Sequence, residues 1–581
     1  MKPGDRGADT ILQFIGPGSP NPDTMLYPRD TNNWGPAIGF AWQIPWFGKD
    51  RATLRGGYQI SYIGNNGRAA TIQNASGMAP GTSYLNSYTP SSTKTYLDMT
   101  NLNDLVPVIP MPTDITPSIK VFPVTDRKSD ITAFEPGYKS PYIQNLTVAL
   151  TTNVTSKVTV DVRYIGTLSR SLFSNFNINP SNFTTNGLRE AFDAARAGGE
   201  STLLNSLLLG QRLGSTEKAV DGTTFTGAAA LRASNAYASG LGYTTRIRQV
   251  LANGQYSTLA TYLNYLGSTP GQLIRQNGFP ENFVKTNPQF NNVYFEGNGG
   301  HANYHSMQAQ VTLRPAVGMS IQSTYTWSKN LGITGAYTDP LDRRGDYTLQ
   351  ASDRTHAWVT YGNFELPFGP GKAFLKNASG VVGKVISGWQ MGWLTRVQSG
   401  QPLSITSQSM LYGSGVPDLV GDFDFDGVGV TWQDGARKGN YFNNRYTAVA
   451  DPQCANVSSD IRSLCTLSAI ALTSDTTKVV FQNPAPGKRG NFGQNRIRTK
   501  IRSSVDTSMT KTVRFGERKS FSLRVDAKNI LNHPDASGTL GSSGARIVFP
   551  TAPTVALGTG FGDLTYKVGG RTFQFMARFE F

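Results

Sequence analysis

The stretch KVTVDVRYIG, residues 157–166, decides the fold. Val158, Val160, Val162 and Tyr164 alternate with Thr159, Asp161 and Arg163. A period of two sends successive side chains to opposite faces of a strand, so one face here is oily and the other charged. The pattern recurs in ATLRGGYQISY (52–62), NLTVAL (145–150), HSMQAQVTLR (305–314), GMSIQSTYTWSK (318–329) and SFSLRVDAK (520–528).

Alternation alone also describes an antiparallel sheet with one wet face. Three features point instead to strands that cross a bilayer. The segments run about nine to eleven residues, the length a tilted strand needs for that crossing. Tyr62, Tyr164, Trp42 and Trp327 sit near strand ends, where interfacial girdles lie. The polar faces mix Arg, Asp and Gln, as a water-filled or plugged lumen permits. Lys511 falls on an apolar face, but near a strand end, where its stem can snorkel.

Eleven strands are predicted, at 36–43, 51–62, 142–151, 157–166, 304–314, 318–328, 355–366, 386–397, 503–513, 519–528 and 571–581. Their connections alternate short and long, with one longer link, PFGPGKAFLKNASGVVGK (367–384), among the short ones. Strict antiparallel order then gathers the short links at one end and the long links, 63–141, 167–303, 329–354, 398–502 and 529–570, at the other. That is the layout of an outer-membrane barrel with periplasmic turns and extracellular loops. The predicted fold class is all-β: part of an antiparallel transmembrane β-barrel, with long extracellular loops. Residues 1–34 form a lead-in, 35–166, 304–397 and 503–581 carry strands, and 167–303 is a loop subdomain. Within it, 185–198, with Asn186 at the N-cap, and 244–267 read as helices. An odd strand count that begins outside predicts the C-terminal part of a longer protein, whose upstream part would supply further strands, a plug and the export signal.

Composition agrees. Only 16% of residues are charged, 11% are aromatic, and Gly numbers 62. The net charge of +16 is dispersed, and even GKRGNFGQNRIRTKIR (487–502) is interrupted by polar residues. A basic solvated surface, suited to lipid phosphates, fits better than a nucleic-acid footprint. Cys454 and Cys465 have neither zinc nor redox spacing; a local disulfide is the simplest account, with two free thiols as the alternative.

The site candidates are few. DFDFDG (422–427) offers Asp422, Asp424 and Asp426 as calcium ligands, with Gly427 for the turn. Gln433 stands where a bidentate acid belongs, so an acidic loop turn fits the stretch better. No cofactor other than that calcium is expected. His301 and His305 make a poor metal pair. No nucleophile elbow or P-loop is found, so the chain does not read as an enzyme. Arg55, Asp161, Arg163, Arg396, Arg524 and Asp526 project to the lumen on this parity, as substrate or plug contacts or as a plain solvated wall.

Six stretches, in this order, carry a resemblance: RATLRGGYQISY; SPYIQNLTVAL with VTVDVRYIGT; NPQFNNVYFEGNGGHANYHSMQAQVTLR with SIQSTYTWSKNL; SDRTHAWVTYGNFELPFGPGKAFL; ISGWQMGWLTRVQSGQPLSIT; and LRVDAKNILNHPDASG. The series resembles the C-terminal barrel of Oar-like TonB-dependent transporters, outside 167–290 and 410–480. The resemblance implies a closed barrel of about 22 or more strands, and a plug displaced by a TonB-type energy transducer in the inner membrane. The plug and the transducer-contacting box are missing from this sequence. It also implies that the alternating Phe573, Phe575, Ala577, Phe579 and Phe581 are the strand read by the barrel-assembly machinery.

The expected partners are therefore outer-membrane lipid and lipopolysaccharide, that machinery, the transducer and a transported substrate, with no nucleic acid. The expected location is the cell outer membrane. Two competitors remain: a surface adhesin anchored by its barrel, and a secreted β-rich enzyme, which would need a catalytic set that the sequence does not display.

Overall fold

The computed structural model describes residues 10–11, 21–25, 29–48, 51–63, 121–122, 127–214, 218–237, 245–314, 318–333, 337–413, 415–425, 430–433, 438–515, 519–538, 546–549 and 560–581. Eleven strands follow one another in a single antiparallel order. They are β1 (Ala37–Gln43), β2 (Ala52–Tyr62), β3 (Tyr142–Thr155), β4 (Val158–Asn177), β5 (Val293–Leu313), β6 (Met319–Ile333), β7 (His356–Glu365), β8 (Trp389–Gln398), β9 (Arg502–Phe515), β10 (Lys519–Lys528) and β11 (Thr572–Glu580). The sheet is open, with β1 and β11 as its edges. No helix among the described residues is long and apolar enough to cross a membrane.

Register fixes the faces. Thr53, Thr151, Asp161, Gln310, Thr324, Val359, Arg396 and Ser504 stand side by side across eight strands. One residue along, the row reads Leu54, Leu150, Val162, Ala309, Tyr325, Trp358, Val397 and Ser503. Directly opposed residues share a face, so the sheet has one polar side and one apolar side. Aromatic rings cover two glycines on the apolar side. A Cβ on Gly56 would lie 2.2 Å from the Phe40 ring, and one on Gly362 would lie 2.6 Å from Trp393.

The apolar side carries aromatics at both ends. Towards the long loops, Tyr62 meets Tyr142 at 5.8 Å. There too the Tyr164 and Tyr325 hydroxyls lie 2.7 Å from Nδ1 of His305 and His356. Towards the short turns, Trp42 meets Trp46 edge-on at 5.5 Å. An apolar band between aromatic girdles is the outer surface of an outer-membrane barrel.

Several boundaries differ from the sequence reading. β4 and β5 are twenty and twenty-one residues long, so the pair continues well past Gly166 into the segment read as loop. Register shifts on either side of Leu172, with Ser171 at φ 51, break the alternation there and hide the strand. The first helix is α1 (Leu188–Ala197), and its N-cap is Gly187 rather than Asn186. Asn186 instead accepts from the Leu188 N–H at 3.2 Å. The expected 244–267 helix is two, α4 (Ile247–Ala252) and α5 (Tyr256–Tyr265), parted at Gly254, whose φ is 66. Three short helices complete the bundle: α2 (Thr202–Leu207), α3 (Gly227–Ala233) and α6 (Gln272–Gln276).

The long-loop end is a folded cap. Leu188, Phe192, Leu204, Leu231, Leu251, Leu259 and Leu263 are fully buried in the helical core, which also takes Val457 and Ile461 from the 399–501 connection. That connection contains a four-stranded sheet. Its core is aromatic: Phe481 lies 5.0 Å from Phe423 and 4.9 Å from Phe492. Pro402–Thr406 also pairs in parallel with Arg546–Val548, which ties two long connections together. Cys454 and Cys465 form a disulfide that closes a small loop beside the helical core.

Candidate functional site

Two regions concentrate charge: the polar side of the sheet, and the rim where that side meets the cap. All six charged residues singled out in the sequence lie on the polar side. Arg55 and Arg163 share a row with Ala149 and Gln308. Asp526 stands between Ser508 and Gln574, and Arg524 between Thr510 and Met576. The charges are paired along their strands. Arg163 Nε donates to Asp161 at 2.7 Å, and Arg524 Nε donates to Asp526 at 2.8 Å. The Thr151 hydroxyl also donates to Asp161, at 2.6 Å. Arg55 and Arg396 are exposed. A recess of about 410 Å³ on this side is lined by Asp506, Ser508, Arg524, Asp526, Lys528 and Gln574. Half-exposed pairs of this kind contribute little stability.

The rim is built more rigidly. Asp353 has no exposed side-chain surface. It accepts from the Asn330 N–H at 2.6 Å and pairs with Arg498. Arg498 also donates to the Thr355 hydroxyl at 2.7 Å and to the Gly400 carbonyl at 3.2 Å. Arg489 reaches Asp346 at 3.3 Å, and burial raises the Asp346 carboxyl above its usual range. Arg502 pairs with Asp535. Arg354 donates to backbone carbonyls at Ala351 and Asp353, and burial beside Arg502 and Arg498 holds its pKa below the ordinary value. Together with Lys500, cations outnumber these three carboxylates. Beside them a pocket of about 220 Å³ is lined by Trp432, Tyr441, Lys500, Arg502 and Asp535. Lys567 lies 4.6 Å over the Trp432 ring, which adds a further cation to this wall.

In the DFDFDG stretch, Asp424 pairs with Arg445, Asp422 is exposed, and Asp426 lies outside the described residues. The alternation of the stretch serves packing, since Phe423 is buried in the aromatic core and Phe425 stacks on Phe492. Among the described residues no three His, Cys, Asp or Glu side chains assemble as metal ligands. His305 and His356 are held by tyrosines, and His301 stacks on Tyr347 at 5.5 Å. Phe573, Phe575 and Phe579 lie on the apolar side opposite Ala527, Val525 and Phe521, and Phe581 is 92% exposed.

Sequence reasoning did not find the rim. Arg498 and Asp353 both fall within quoted stretches, but a charge pair separated by more than a hundred residues leaves no periodic signal.

Residues 5–574 match a family model described as an outer membrane beta barrel domain. No curated protein matches the sequence. Among solved structures, the outer membrane transporter YddB from Escherichia coli is similar at 9% identity and a TM-score of 0.34, over 94% of this chain and 40% of that one. The siderophore receptor PirA from Acinetobacter baumannii is similar at 8% identity and a TM-score of 0.34, over 94% of this chain and 41% of that one. The ferric enterobactin receptor PfeA from Pseudomonas aeruginosa is similar at 8% and 0.33, over 94% and 40%. The chain spans about two fifths of the length of these three structures.

Proposed function

The chain belongs to the outer membrane beta barrel domain family, and from that premise we propose that it is the barrel portion of an Oar-like TonB-dependent transporter. It resides in the cell outer membrane, with its apolar side against hydrocarbon. The polar side is then the lumen wall, and Arg55, Asp161, Arg163, Arg396, Arg524 and Asp526 face the transported solute or a plug. Further strands close the sheet between β1 and β11, since closure leaves no unpaired edge in lipid. A TonB-type transducer supplies the energy through a plug, and the assembly machinery reads Phe573, Phe575, Phe579 and Phe581.

The observation that carries this reading is the basic rim under a folded cap. Arg354, Arg498, Lys500 and Arg502 make the entrance attractive to an anionic solute, a charged chelate for instance. The test is uptake by cells that express the chain with a plug-bearing upstream region, with and without the transducer. Transducer-dependent accumulation of an anionic solute supports the proposal, and accumulation that ignores the transducer contradicts it.

A second reading is favoured by the cap itself. Two hydrophobic cores and a disulfide make it more than a set of loops. An adhesin would use such a cap to hold an external partner, with the barrel as anchor. Cell-surface binding that persists without the transducer, and without any uptake, selects this reading.

A further inference from the structure

The link between β7 and β8, residues 366–388, lies at the short-turn end but is no simple turn. It contains α7 (Gly380–Ile386) and folds back over the apolar side of the sheet. Phe368 and Phe374 pack together at 5.7 Å. Gly383 faces inward, where a Cβ would meet the Ala378 carbonyl at 2.8 Å. The aliphatic side chains of α7 are bare: Val381 is 79% exposed, Val382 63% and Val385 59%. Phe374 and Leu375 beside it are 58% and 61% exposed.

Lys511 explains how the link is held. Its ammonium, on the otherwise apolar side, donates to the Lys384 carbonyl at 2.6 Å and to the Ser387 carbonyl, and lies 5.6 Å over the Trp389 ring. Those carbonyls belong to the C-terminal end of α7, where the helix dipole favours a cation. Between link and sheet runs a cleft of about 360 Å³, lined by Leu366, Phe368, Leu375, Val385, Trp389 and Met509. Met509 and Trp389 belong to the hydrocarbon-facing surface, so the cleft is continuous with it. Three exposed lysines, Lys372, Lys376 and Lys384, border the patch, and Lys372 also bonds Glu365 at 2.6 Å.

We propose that the 366–388 link is a phospholipid-binding collar seated in the periplasmic leaflet. The acyl chain of one phospholipid enters the cleft, and its phosphate is held by Lys376 and Lys384. An amphipathic segment with bare aliphatic side chains and flanking lysines is the composition that binds at an anionic lipid surface. The preferred headgroup is therefore anionic. The inference rests on the outer-membrane location and not on transport.

The test is native mass spectrometry of the full chain extracted into micelles with equal phosphatidylglycerol and phosphatidylethanolamine. The unaltered chain retains phosphatidylglycerol several-fold over phosphatidylethanolamine. K376E/K384E lowers phosphatidylglycerol retention at least threefold and removes the preference. L375E/V385E lowers retention of both lipids, and Lys157→Glu, at a different short turn, changes neither. The strand signal in circular dichroism, unchanged in the same micelles, reports that each variant is folded. Equal retention by all variants overturns the proposal. So does a dimer of this chain that L375E/V385E dissociates with no change in bound lipid, which would make a second copy the occupant.

Discussion

Asp353 and Arg498 form an ion pair that joins two long connections at the rim of the sheet, with the carboxylate fully buried. The carboxylate has no solvent to fall back on, so removing its partner leaves an uncompensated charge. Arg498→Leu is expected to destabilise the rim by about 3–5 kcal/mol, while D353N/R498L recovers most of that loss. Urea titration of cap unfolding, followed by limited proteolysis of the 399–501 connection, reads both. Equal loss in the single and double variants would show that the pair is not what fixes the rim.

Lys285 gives the cap a pH signature. Its ammonium is buried, donates to the Asn179 and Asn291 carbonyls at 3.1 and 2.9 Å, and is pushed down to about 8. The unfolded chain keeps this proton up to about pH 10.5. Between those values the unfolded state binds more protons than the folded one, so cap stability rises with pH. The rise is on the order of 3 kcal/mol, complete near pH 10.5, and absent below pH 8. Lys285→Met should flatten that rise, which denaturant titrations of both proteins from pH 7 to 10 will show.

The Cys454–Cys465 bridge closes a short loop against the helical core. Removing the bridge returns conformational entropy to the unfolded chain, which for a loop of this size lowers cap stability by about 2–3 kcal/mol. C454S/C465S should unfold its cap at lower urea and expose the α1–α6 region to protease, with the strand region unaffected. Loss of the whole sheet would mean that cap and barrel are not separable in stability.

Val162 and Arg163 are neighbours in sequence but face opposite media. Val162→Arg puts a charge on the apolar side and should cost on the order of 2 kcal/mol in folding into lipid vesicles. Arg163→Val removes one half-exposed ion pair and should cost under about 1 kcal/mol. Folding yields across a urea series in vesicles measure the two costs.

Much of this was legible in the sequence. Strand alternation, segregated link lengths and the six polar-side charges follow from a period of two and from reach. Strand ends were less legible: bulges beside Leu172 break the period, so β4 and β5 were read too short. The rim escaped altogether, and the link between β7 and β8 showed only as a longer one at the short-turn end. Asp353 and Arg498 meet only through the fold, and Lys511, noted as an exception that could snorkel, is instead satisfied by carbonyls at 384 and 387. In DFDFDG the phenylalanines pack, Phe423 in the aromatic core and Phe425 on Phe492, a role that the alternating acids hide from the sequence.

The central claim is that one side of this sheet meets hydrocarbon and the other meets water. Nitroxide labels placed singly at residues 158 to 165, in protein reconstituted in bilayers, test it through their accessibility to oxygen and to a polar nickel chelate. The account predicts a period of two: oxygen maxima at 158, 160, 162 and 164, and nickel maxima at 159, 161, 163 and 165. Labels equally accessible to nickel at every position, or equally shielded from both reagents, would contradict it.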